Sequence, residues 1–180
     1  MSVAKYSLVF PMDIHNGFII LGYQQSGLWR NRFNGFGGKQ EEKDVDIHHT
    51  AKRELFEESG IDADTLIHTG VIDFRHLQNE WPAKQVFVYL HDLDITEFNK
   101  INSPRNLTLI PFKLANFPWH EMPPGDQYWL NYIFTRYEFL KGSVLISSSK
   151  KYKGDYIKKV TIEFSDGKDR DKIFFTNESK

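Results

Sequence analysis

The sequence predicts an α+β fold that contains several short strands and two helices and ends in a β-hairpin. Three observations lead to this prediction. Apolar, β-rich segments recur between turn signals, and helical periodicity occurs at residues 44–59 and 126–140. Because strands and helices do not alternate regularly, an α+β arrangement is favoured over a purely parallel sheet.

The predicted strands are short apolar runs bounded by turn residues. They lie at residues 6–12, 18–23, 66–77, 84–90, 107–112, 143–147 and 156–164. A turn at His15-Asn16-Gly17 joins the first two strands in a hairpin, and Lys153-Gly154 marks the turn of the last hairpin.

Each predicted helix has an apolar face and identifiable ends. In the first, Ile47, Ala51 and Leu55 recur every four residues, and Gly60 ends the helix. Its N-cap is Asp44 or Asp46. The second helix begins after Asp126, extends to about Leu140 and carries Trp129, Tyr132, Ile133 and Leu140 on its inner side.

Length and composition predict one domain over residues 1–165 and a polar C-terminal tail over 166–180. The formal net charge of -1 provides no basic field to hold long nucleic acid. The chain has no cysteine, which excludes disulfides and thiolate chemistry. Neither a signal peptide nor an apolar run of about 18 residues is found. We therefore expect a cytoplasmic protein that binds no membrane and is a monomer rather than an oligomer.

Three glutamates share one face of the first predicted helix. Glu54, Glu57 and Glu58 stand at i, i+3 and i+4, which makes them neighbours on a helix. A solvated acidic face is the ordinary interpretation of such a run. However, like charges at this spacing repel by roughly 0.2–0.5 kcal/mol, and the helix dipole disfavours anions near a C-terminus. A divalent cation bound between the glutamates would remove both conflicts.

A glycine-rich segment precedes this helix and strengthens the interpretation as a metal site. It contains Asn34-Gly35-Phe36-Gly37-Gly38-Lys39. Gly37 and Gly38 permit a close approach of the backbone to a metal or a phosphate, and Lys39 adds a donor for phosphate oxygens. The two features together favour metal-assisted phosphate chemistry over a solvated face.

The sequence here resembles the Nudix signature, Gly-x5-Glu-x7-Arg-Glu-U-x-Glu-Glu-x-Gly-U, where U is a bulky aliphatic residue. Every specified position from Arg53 to Ile61 matches. In the first half, Asp44 stands in place of the glutamate, and eight residues separate it from Arg53. The family pairs this acid with the arginine, so Asp44, Glu41 or Glu42 is expected to reach Arg53. The resemblance implies a Nudix α/β/α sandwich with a mixed sheet.

The same resemblance implies roles for individual residues. The implied Mg²⁺ ligands, for which Mn²⁺ could substitute, are Gly37, Glu54, Glu57 and Glu58; the implied phosphate-binding residues are Gly38 and Lys39. Glu57 or Glu58 would also activate the attacking water, and the sequence leaves that choice open. Arg53 would orient the glutamates by charge-assisted hydrogen bonds.

A closer resemblance, over about Tyr6 to Phe164, is to the mammalian-type MutT subfamily that hydrolyses oxidised purine nucleoside triphosphates. It is carried by Phe33-Asn34-Gly35-Phe36-Gly37-Gly38-Lys39 and by Met122-Pro123-Pro124-Gly125-Asp126-Gln127-Tyr128-Trp129. The base-binding residues that it implies are Ser7, Asn34, Phe74 and Asp126. Taken alone, Asn34 could instead stabilise the glycine turn and Asp126 could cap the second helix.

Some positions of the implied base pocket depart from that subfamily. Gly125 replaces an aspartate, Pro123 a stacking tryptophan and Leu28 a pocket aromatic residue. Asn106 stands where a further metal-binding glutamate is expected. Loss of an aromatic stacking platform lowers the free energy of base binding by roughly 1–3 kcal/mol. The residues of the sequence therefore specify the reaction more closely than the substrate.

The resemblance therefore predicts Mg²⁺-dependent hydrolysis of nucleoside triphosphates to monophosphate and pyrophosphate. The expected partner is a small-molecule nucleotide, above all an oxidised purine nucleotide such as 8-oxo-dGTP. One alternative is hydrolysis of another nucleoside diphosphate derivative, such as a nucleotide sugar or a capped end. A second is a nucleotide-sensing module without turnover, against which the three intact glutamates weigh.

Overall fold

The computed structural model describes residues 3–26, 29–78, 82–105, 107–136, 139–149 and 154–164. Leu28, Asn106 and the predicted tail at 166–180 lie outside them, as does Lys153 of the predicted last turn. The strands are β1 Ala4–Asp13, β2 Phe18–Tyr23, β3 Phe33–Asn34, β4 Ile67–His76, β5 Lys84–Asp92, β6 Thr108–Lys113, β7 Leu140–Ser149 and β8 Gly154–Phe164. The helices are α1 Ile47–Ser59 and α2 Gln127–Arg136, with 3₁₀ turns at Ile95–Lys100, Leu114–Asn116 and Trp119–Glu121.

The chain forms two compact units, of which the larger comprises Tyr6–His68 and Val88–Pro123. Its strand β2 pairs antiparallel with β1, with β3 and, over its whole length, with β6. The β1–β2 turn contains Gly17, whose φ of +68° lies in the left-handed region that favours glycine. The core is made of fully buried side chains, among them Val9, Phe10, Ile19, Leu21 and Leu55. Helix α1 contributes Leu55 to this core.

The other unit takes its described residues from Met1–Lys5, Thr69–Phe87 and Pro124–Lys180. Strands β4 and β7 run parallel from Gly70 opposite Leu140 to His76 opposite Ile146. Strand β8 returns antiparallel to β7 and forms the C-terminal hairpin. Trp129, Leu130 and Ile133 of α2 are buried. Because one strand pair is parallel and the others described are antiparallel, the sheet is mixed.

The α+β class, the mixed sheet and the final hairpin are confirmed, and three details of the prediction are corrected. Helix α1 begins at Ile47 rather than at residue 44, and its N-cap is Asp46, one of the two predicted caps: the Asp46 Oδ1 accepts the His49 N–H at 2.7 Å. Helix α2 ends at Arg136, and Leu140 instead begins β7, where it is buried against Gly70. The prediction extended the helix to Leu140 because an apolar residue at this position continues the helical pattern.

The third correction concerns Phe33–Asn34, which lie outside the predicted strands but form β3 opposite Tyr23 and Gly22. A two-residue strand is too short to show a period. Among the described helices, none is both long and apolar enough to cross a membrane. The assignment of residues 1–165 to one domain stays a prediction.

Candidate active site and metal-binding face

The glycine segment is held against β1 by backbone hydrogen bonds in the larger unit. Val9 and Phe36 exchange N–H···O bonds of 2.7 and 2.9 Å, and the Ser7 N–H donates to the Gly38 carbonyl at 2.9 Å. A Cβ at Gly37 would collide with the Ser7 carbonyl, so only glycine permits this approach. The segment is therefore a fixed backbone platform, and its Gly37 N–H donates to the Glu58 Oε2 at 3.0 Å.

Asp44 is the acid that reaches Arg53. The Arg53 Nε and one terminal nitrogen donate to the two Asp44 oxygens at 2.8 and 2.9 Å, a bidentate pair. Thr50 and the Glu41 N–H also donate to the Asp44 carboxylate, at 3.0 and 2.9 Å. The bonds from Arg53 hold the pKa of Asp44 well below its usual range. The additional residue between Asp44 and Arg53 is thus accommodated without loss of the pair.

One carboxylate oxygen of each of the three glutamates contacts either Arg53 or the Gly37 N–H, and we call these three atoms the inward oxygens. The other terminal nitrogen of Arg53 donates to the Glu54 Oε1 at 2.8 Å and to the Glu57 Oε1 at 3.4 Å. The inward oxygen of Glu58 is the one bound by the Gly37 N–H. A Cβ at Gly38 would collide with the Glu54 carboxylate. The predicted orienting contacts between Arg53 and two of the glutamates are therefore present in the structure.

The second carboxylate oxygens of the same glutamates, which we call the outward oxygens, all face another arginine, Arg105. Its guanidinium lies 2.5 Å from the Glu57 Oε2, 3.4 Å from the Glu58 Oε1 and 3.9 Å from the Glu54 Oε2. Arg105 belongs to the loop before β6 and its side chain is 50% exposed. One cation thus faces all three outward oxygens, which shows that they are close enough to share a positive charge.

The electrostatics of this face favour a further positive charge. Burial raises the pKa of Glu58 to about 7, and the neighbouring Glu54 and Glu57 charges raise it as well, against the lowering effects of the Gly37 N–H and Arg105. A carboxylate held this far from full ionisation would gain from a divalent cation. In the described part of the chain, no group of three or more acidic, histidine or cysteine side chains has ready-made metal-ligand spacing. At the face formed by the three glutamates, the Arg105 guanidinium lies within 3.9 Å of each outward oxygen.

The residues predicted to bind phosphate lie beside the acidic face. Gly38 is adjacent to Glu54, and the Lys39 carbonyl lies 3.5 Å from a terminal nitrogen of Arg53. Lys39 is exposed, so its ammonium group can reach a ligand. The structure thus brings together in one unit the predicted metal-binding and phosphate-binding residues, Gly37, Gly38, Lys39, Arg53, Glu54, Glu57 and Glu58.

Two of the predicted base-binding residues lie in the larger unit. Ser7 is buried on β1, and its Oγ has no hydrogen-bond partner among the described residues. Asn34 is half-buried on β3, and its Oδ1 accepts the Gly35 N–H at 2.9 Å, as a turn-stabilising residue would. Ser7 therefore has an unused polar group, whereas Asn34 already holds the glycine turn.

The other two predicted base-binding residues lie in the smaller unit. Phe74, on β4, meets Trp129 edge-on with ring centroids 6.5 Å apart. Asp126 is buried, and its carbonyl accepts the Leu130 N–H at 2.8 Å, so it starts α2. Burial raises the pKa of Asp126 to about 8. The Trp129 indole lowers it slightly, although its Nε1–H has no partner of hydrogen-bond geometry among the described residues.

Two residues of the site, Ser103 and Arg105, are absent from the sequence-based predictions. Ser103 is buried, and its hydroxyl donates to the Glu58 carbonyl at 2.5 Å. Both belong to an irregular loop more than 40 positions from α1, where no spacing rule connects them to the glutamates. The only local signal was Asn102-Ser103-Pro104-Arg105, which predicts a turn and nothing more.

Comparison with known proteins finds relatives that match most of the chain. No protein-family model matches the chain. It is 31% identical over 140 residues to the oxidized purine nucleoside triphosphate hydrolase of Mus musculus, covering 77% of this chain and 85% of that protein. It is 29% identical over 133 residues to the protein of the same name from Danio rerio, covering 74% and 82%.

Solved structures show the same fold. The MutT protein from Bacillus halodurans superposes with a TM-score of 0.67 at 16% identity, over 89% of this chain and 97% of that one. This agreement confirms the predicted Nudix fold. Proteins of this kind are pyrophosphohydrolases that generally use a divalent metal ion. On the identity to the mouse enzyme over most of its length, the chain belongs to the MutT/Nudix hydrolase family.

Proposed function

We propose that this protein hydrolyses nucleoside triphosphates to monophosphate and pyrophosphate with Mg²⁺, and that oxidised purine nucleotides such as 8-oxo-dGTP are its substrates. The observation that carries this proposal is the convergence of the Glu54, Glu57 and Glu58 carboxylates beside a fixed glycine backbone. Hard oxygen ligands of this kind suit Mg²⁺, and Mn²⁺ could replace it.

The residues that would hold the metal are Glu54, Glu57, Glu58 and the Gly37 carbonyl. When bound, the cation would neutralise charge that develops on the phosphates and lower the pKa of a coordinated water. Gly38 and Lys39 would bind the phosphate oxygens. Arg53 would fix Glu54 and Glu57 through their inward oxygens, since Asp44 already fixes Arg53.

The hydrolysis adds water across one phosphoanhydride bond. The water oxygen bonds to the α- or the β-phosphorus, the bridging oxygen stays on the other of these two phosphorus atoms as its bond to the first breaks, and the water proton goes to a carboxylate. Glu57 and Glu58 are the candidates for that carboxylate. The structure favours neither by position, because both direct an oxygen outward to the same point.

The substrate class is supported by the relatives and by Asp126. Both relatives named above are oxidized purine nucleoside triphosphate hydrolases. A carboxyl with a pKa of about 8 is protonated at neutral pH and can donate an O–H bond to a base. We propose Ser7, Asn34, Phe74 and Asp126 as the base-binding residues. A small-molecule nucleotide fits the net charge of -1 better than long nucleic acid. A monomeric, cytoplasmic protein remains our prediction.

The backbone conformation of Gly125 favours a second candidate substrate class. Its φ is +95°, which an aspartate at this position would rarely adopt. The base pocket is therefore not a simple copy of the related one. Another nucleoside diphosphate derivative, such as a nucleotide sugar or a capped end, is the alternative substrate. A sensor without turnover is the third candidate.

A substrate panel with Mg²⁺ tests these candidates. Wild type, Glu57→Gln and Glu58→Gln are compared on 8-oxo-dGTP, dGTP and a nucleotide sugar by release of pyrophosphate or monophosphate. We expect the wild type to prefer 8-oxo-dGTP, and loss of the residue that acts as base to lower kcat by roughly 10²–10⁴. Glu97→Gln is the matched control, because Glu97 lies in the 3₁₀ turn Ile95–Lys100 and pairs there with Lys100.

Three outcomes would change the assignment. Equal rates on dGTP and 8-oxo-dGTP would remove the case for oxidised purines. Cleavage of the nucleotide sugar alone would favour the second candidate. Absence of cleavage of every compound by wild type would overturn the enzymatic function and favour a sensor.

A further inference from the structure

The acidic face distributes its oxygens between two kinds of partner. The inward oxygens of Glu54 and Glu57 contact Arg53, and that of Glu58 accepts the Gly37 N–H. The outward oxygens of all three face Arg105 alone among the described ion pairs, at 2.5, 3.4 and 3.9 Å. The inward set is therefore held by the framework of the site, and the outward set is held by one side chain.

Arg105 has an anchored backbone and an exposed side chain. The Ser103 hydroxyl donates to the Glu58 carbonyl and accepts the Leu107 N–H at 3.0 Å, which fixes the loop on both sides of Arg105. Gly60, at the end of α1, lies so close to the Asn102 carbonyl that a Cβ there would collide with it. The Arg105 side chain is nevertheless 50% exposed. It can thus leave the glutamates without disturbing the loop.

Arg53 and Arg105 differ in this respect. The Arg53 side chain is only 12% exposed and is bound bidentately by Asp44, so its position is fixed by the fold. Among the described residues, Arg105 has no side-chain partner other than the glutamates themselves. Of the two guanidiniums, that of Arg105 contacts all three glutamates and is the more exposed.

We propose that Arg105 is an exchangeable counter-ion that competes with the divalent cation for the outward oxygens of Glu54, Glu57 and Glu58. An oxygen that accepts a guanidinium N–H cannot use the same lone pair for a metal, and both partners are cations. Binding of the metal therefore displaces Arg105, and the free energy needed to break the Arg105 ion pairs weakens metal binding in the wild type. Because the proposed function makes the same oxygens cation ligands, this role of Arg105 rests on that function.

Direct Mn²⁺ binding without nucleotide tests this role, with free Mn²⁺ measured by its paramagnetic resonance signal. We expect Arg105→Gln to bind Mn²⁺ about fivefold more tightly than wild type, since a half-exposed ion pair contributes a modest free energy. Arg105→Lys retains the charge and should remain within about twofold of wild type. Lys100→Gln removes a positive charge from the 3₁₀ turn Ile95–Lys100, where Lys100 pairs with Glu97, and should also remain within about twofold.

The outcomes separate this role from the proposed function. Tighter binding by Arg105→Gln, with Lys100→Gln unchanged, supports the exchange. Equal or weaker Mn²⁺ binding by Arg105→Gln, in a variant whose thermal unfolding matches wild type, overturns the exchange and leaves the metal site intact. If neither wild type nor Arg105→Gln binds Mn²⁺, the metal site itself fails, and the exchange fails with it. A loss of folding in Arg105→Gln would show a structural role and also overturn it, since the loop is then not anchored independently of Arg105.

Discussion

Two buried aspartates, one in each compact unit, have opposite electrostatic states. Asp44, in the larger unit, accepts bonds from Arg53, Thr50 and the Glu41 N–H, which hold its pKa far below the usual range. Asp126, in the smaller unit, is buried with little compensation, and its pKa rises to about 8. Asp44 is therefore an anion at any ordinary pH, whereas Asp126 is a neutral acid at pH 7.

The difference shows that the charge of a covered carboxyl group follows from the balance between its desolvation and the bonds of its partners. Asp44 loses its hydration but gains a bidentate guanidinium, so the ionised form is favoured. Asp126 loses its hydration without a cation, so the protonated form is favoured. The first state suits a structural ion that positions Arg53. The second suits a hydrogen-bond donor in a ligand pocket.

The largest effect is expected from Asp44→Asn. Removing one charge leaves Arg53 largely covered and without its main partner, which costs several kcal/mol in buried pairs. Asp44 is fully covered but lies close beneath the surface, so we expect a loss of about 3 kcal/mol in the free energy of unfolding at pH 7. Urea denaturation measures it.

The control for this variant is Glu41→Gln, whose carboxylate is half-exposed and pairs with Lys43. It should change the free energy of unfolding by less than about 1 kcal/mol. Because the pKa of Asp44 is lowered, its contribution is present above the ordinary aspartate range and is lost as the solution becomes strongly acidic. An Asp44→Asn deficit that did not shrink in acid would contradict the ion-pair interpretation.

Asp126→Asn should change the pH dependence of the free energy of unfolding in the direction opposite to that of Asp44→Asn. A raised pKa means that the contribution of Asp126 is full below about pH 4 and is lost as pH rises to about 8. We expect the variant to remove about 3 kcal/mol of this decline, roughly half of what 1.36 kcal/mol per pKa unit implies, because buried charges relax. Unfolding at pH 5 and pH 9 measures the decline.

Exposed Asp62 provides the control, since Asp62→Asn should leave the decline intact. If Asp126→Asn also left it intact, Asp126 would be ionised at neutral pH. The comparison with Asp44 would then fail.

A smaller effect of the same sign is expected from Glu58. Its pKa of about 7 means that its contribution is full below about pH 4.5 and is lost as pH rises towards 7. The carboxylate is mostly buried, so we expect a decline of about 2 kcal/mol over this range, absent in Glu58→Gln. Urea denaturation at pH 5 and pH 8 checks it.

Divalent cations sharpen this prediction. Saturating Mg²⁺ should reduce the wild-type decline, since a cation favours the ionised carboxylate. Mg²⁺ should have little effect on the decline that is due to Asp126. Equal suppression of both would show that Mg²⁺ acts on overall stability rather than at the acidic face.

Local features of the sequence predicted most of the site. The i, i+3, i+4 spacing of Glu54, Glu57 and Glu58 placed them on one face, because helical geometry is regular. Gly37 and Gly38 were predictable because close approach of the backbone requires glycine. The pairing of Asp44 with Arg53 was one of three alternatives, since an additional loop residue leaves the direction of the acid undetermined.

Features that depend on distant contacts were not predictable. Arg105 reaches the glutamates only through the fold of a loop that Ser103 anchors to Glu58. The neutral state of Asp126 depends on burial, which its sequence neighbours do not reveal. The end of α2 was predicted too far along the chain, because the apolar Leu140 fits the pattern of a helix as well as that of a buried strand.

The products of nucleotide turnover test the central claim most directly. Wild type is incubated with 8-oxo-dGTP and Mg²⁺ in ¹⁸O-labelled water, and the phosphorus-containing products are identified by mass spectrometry. The account predicts equal amounts of the nucleoside monophosphate and pyrophosphate, with one ¹⁸O atom in one of the two, and no product when Mg²⁺ is removed. Formation of the nucleoside diphosphate and orthophosphate, or equal turnover without a divalent cation, would contradict it.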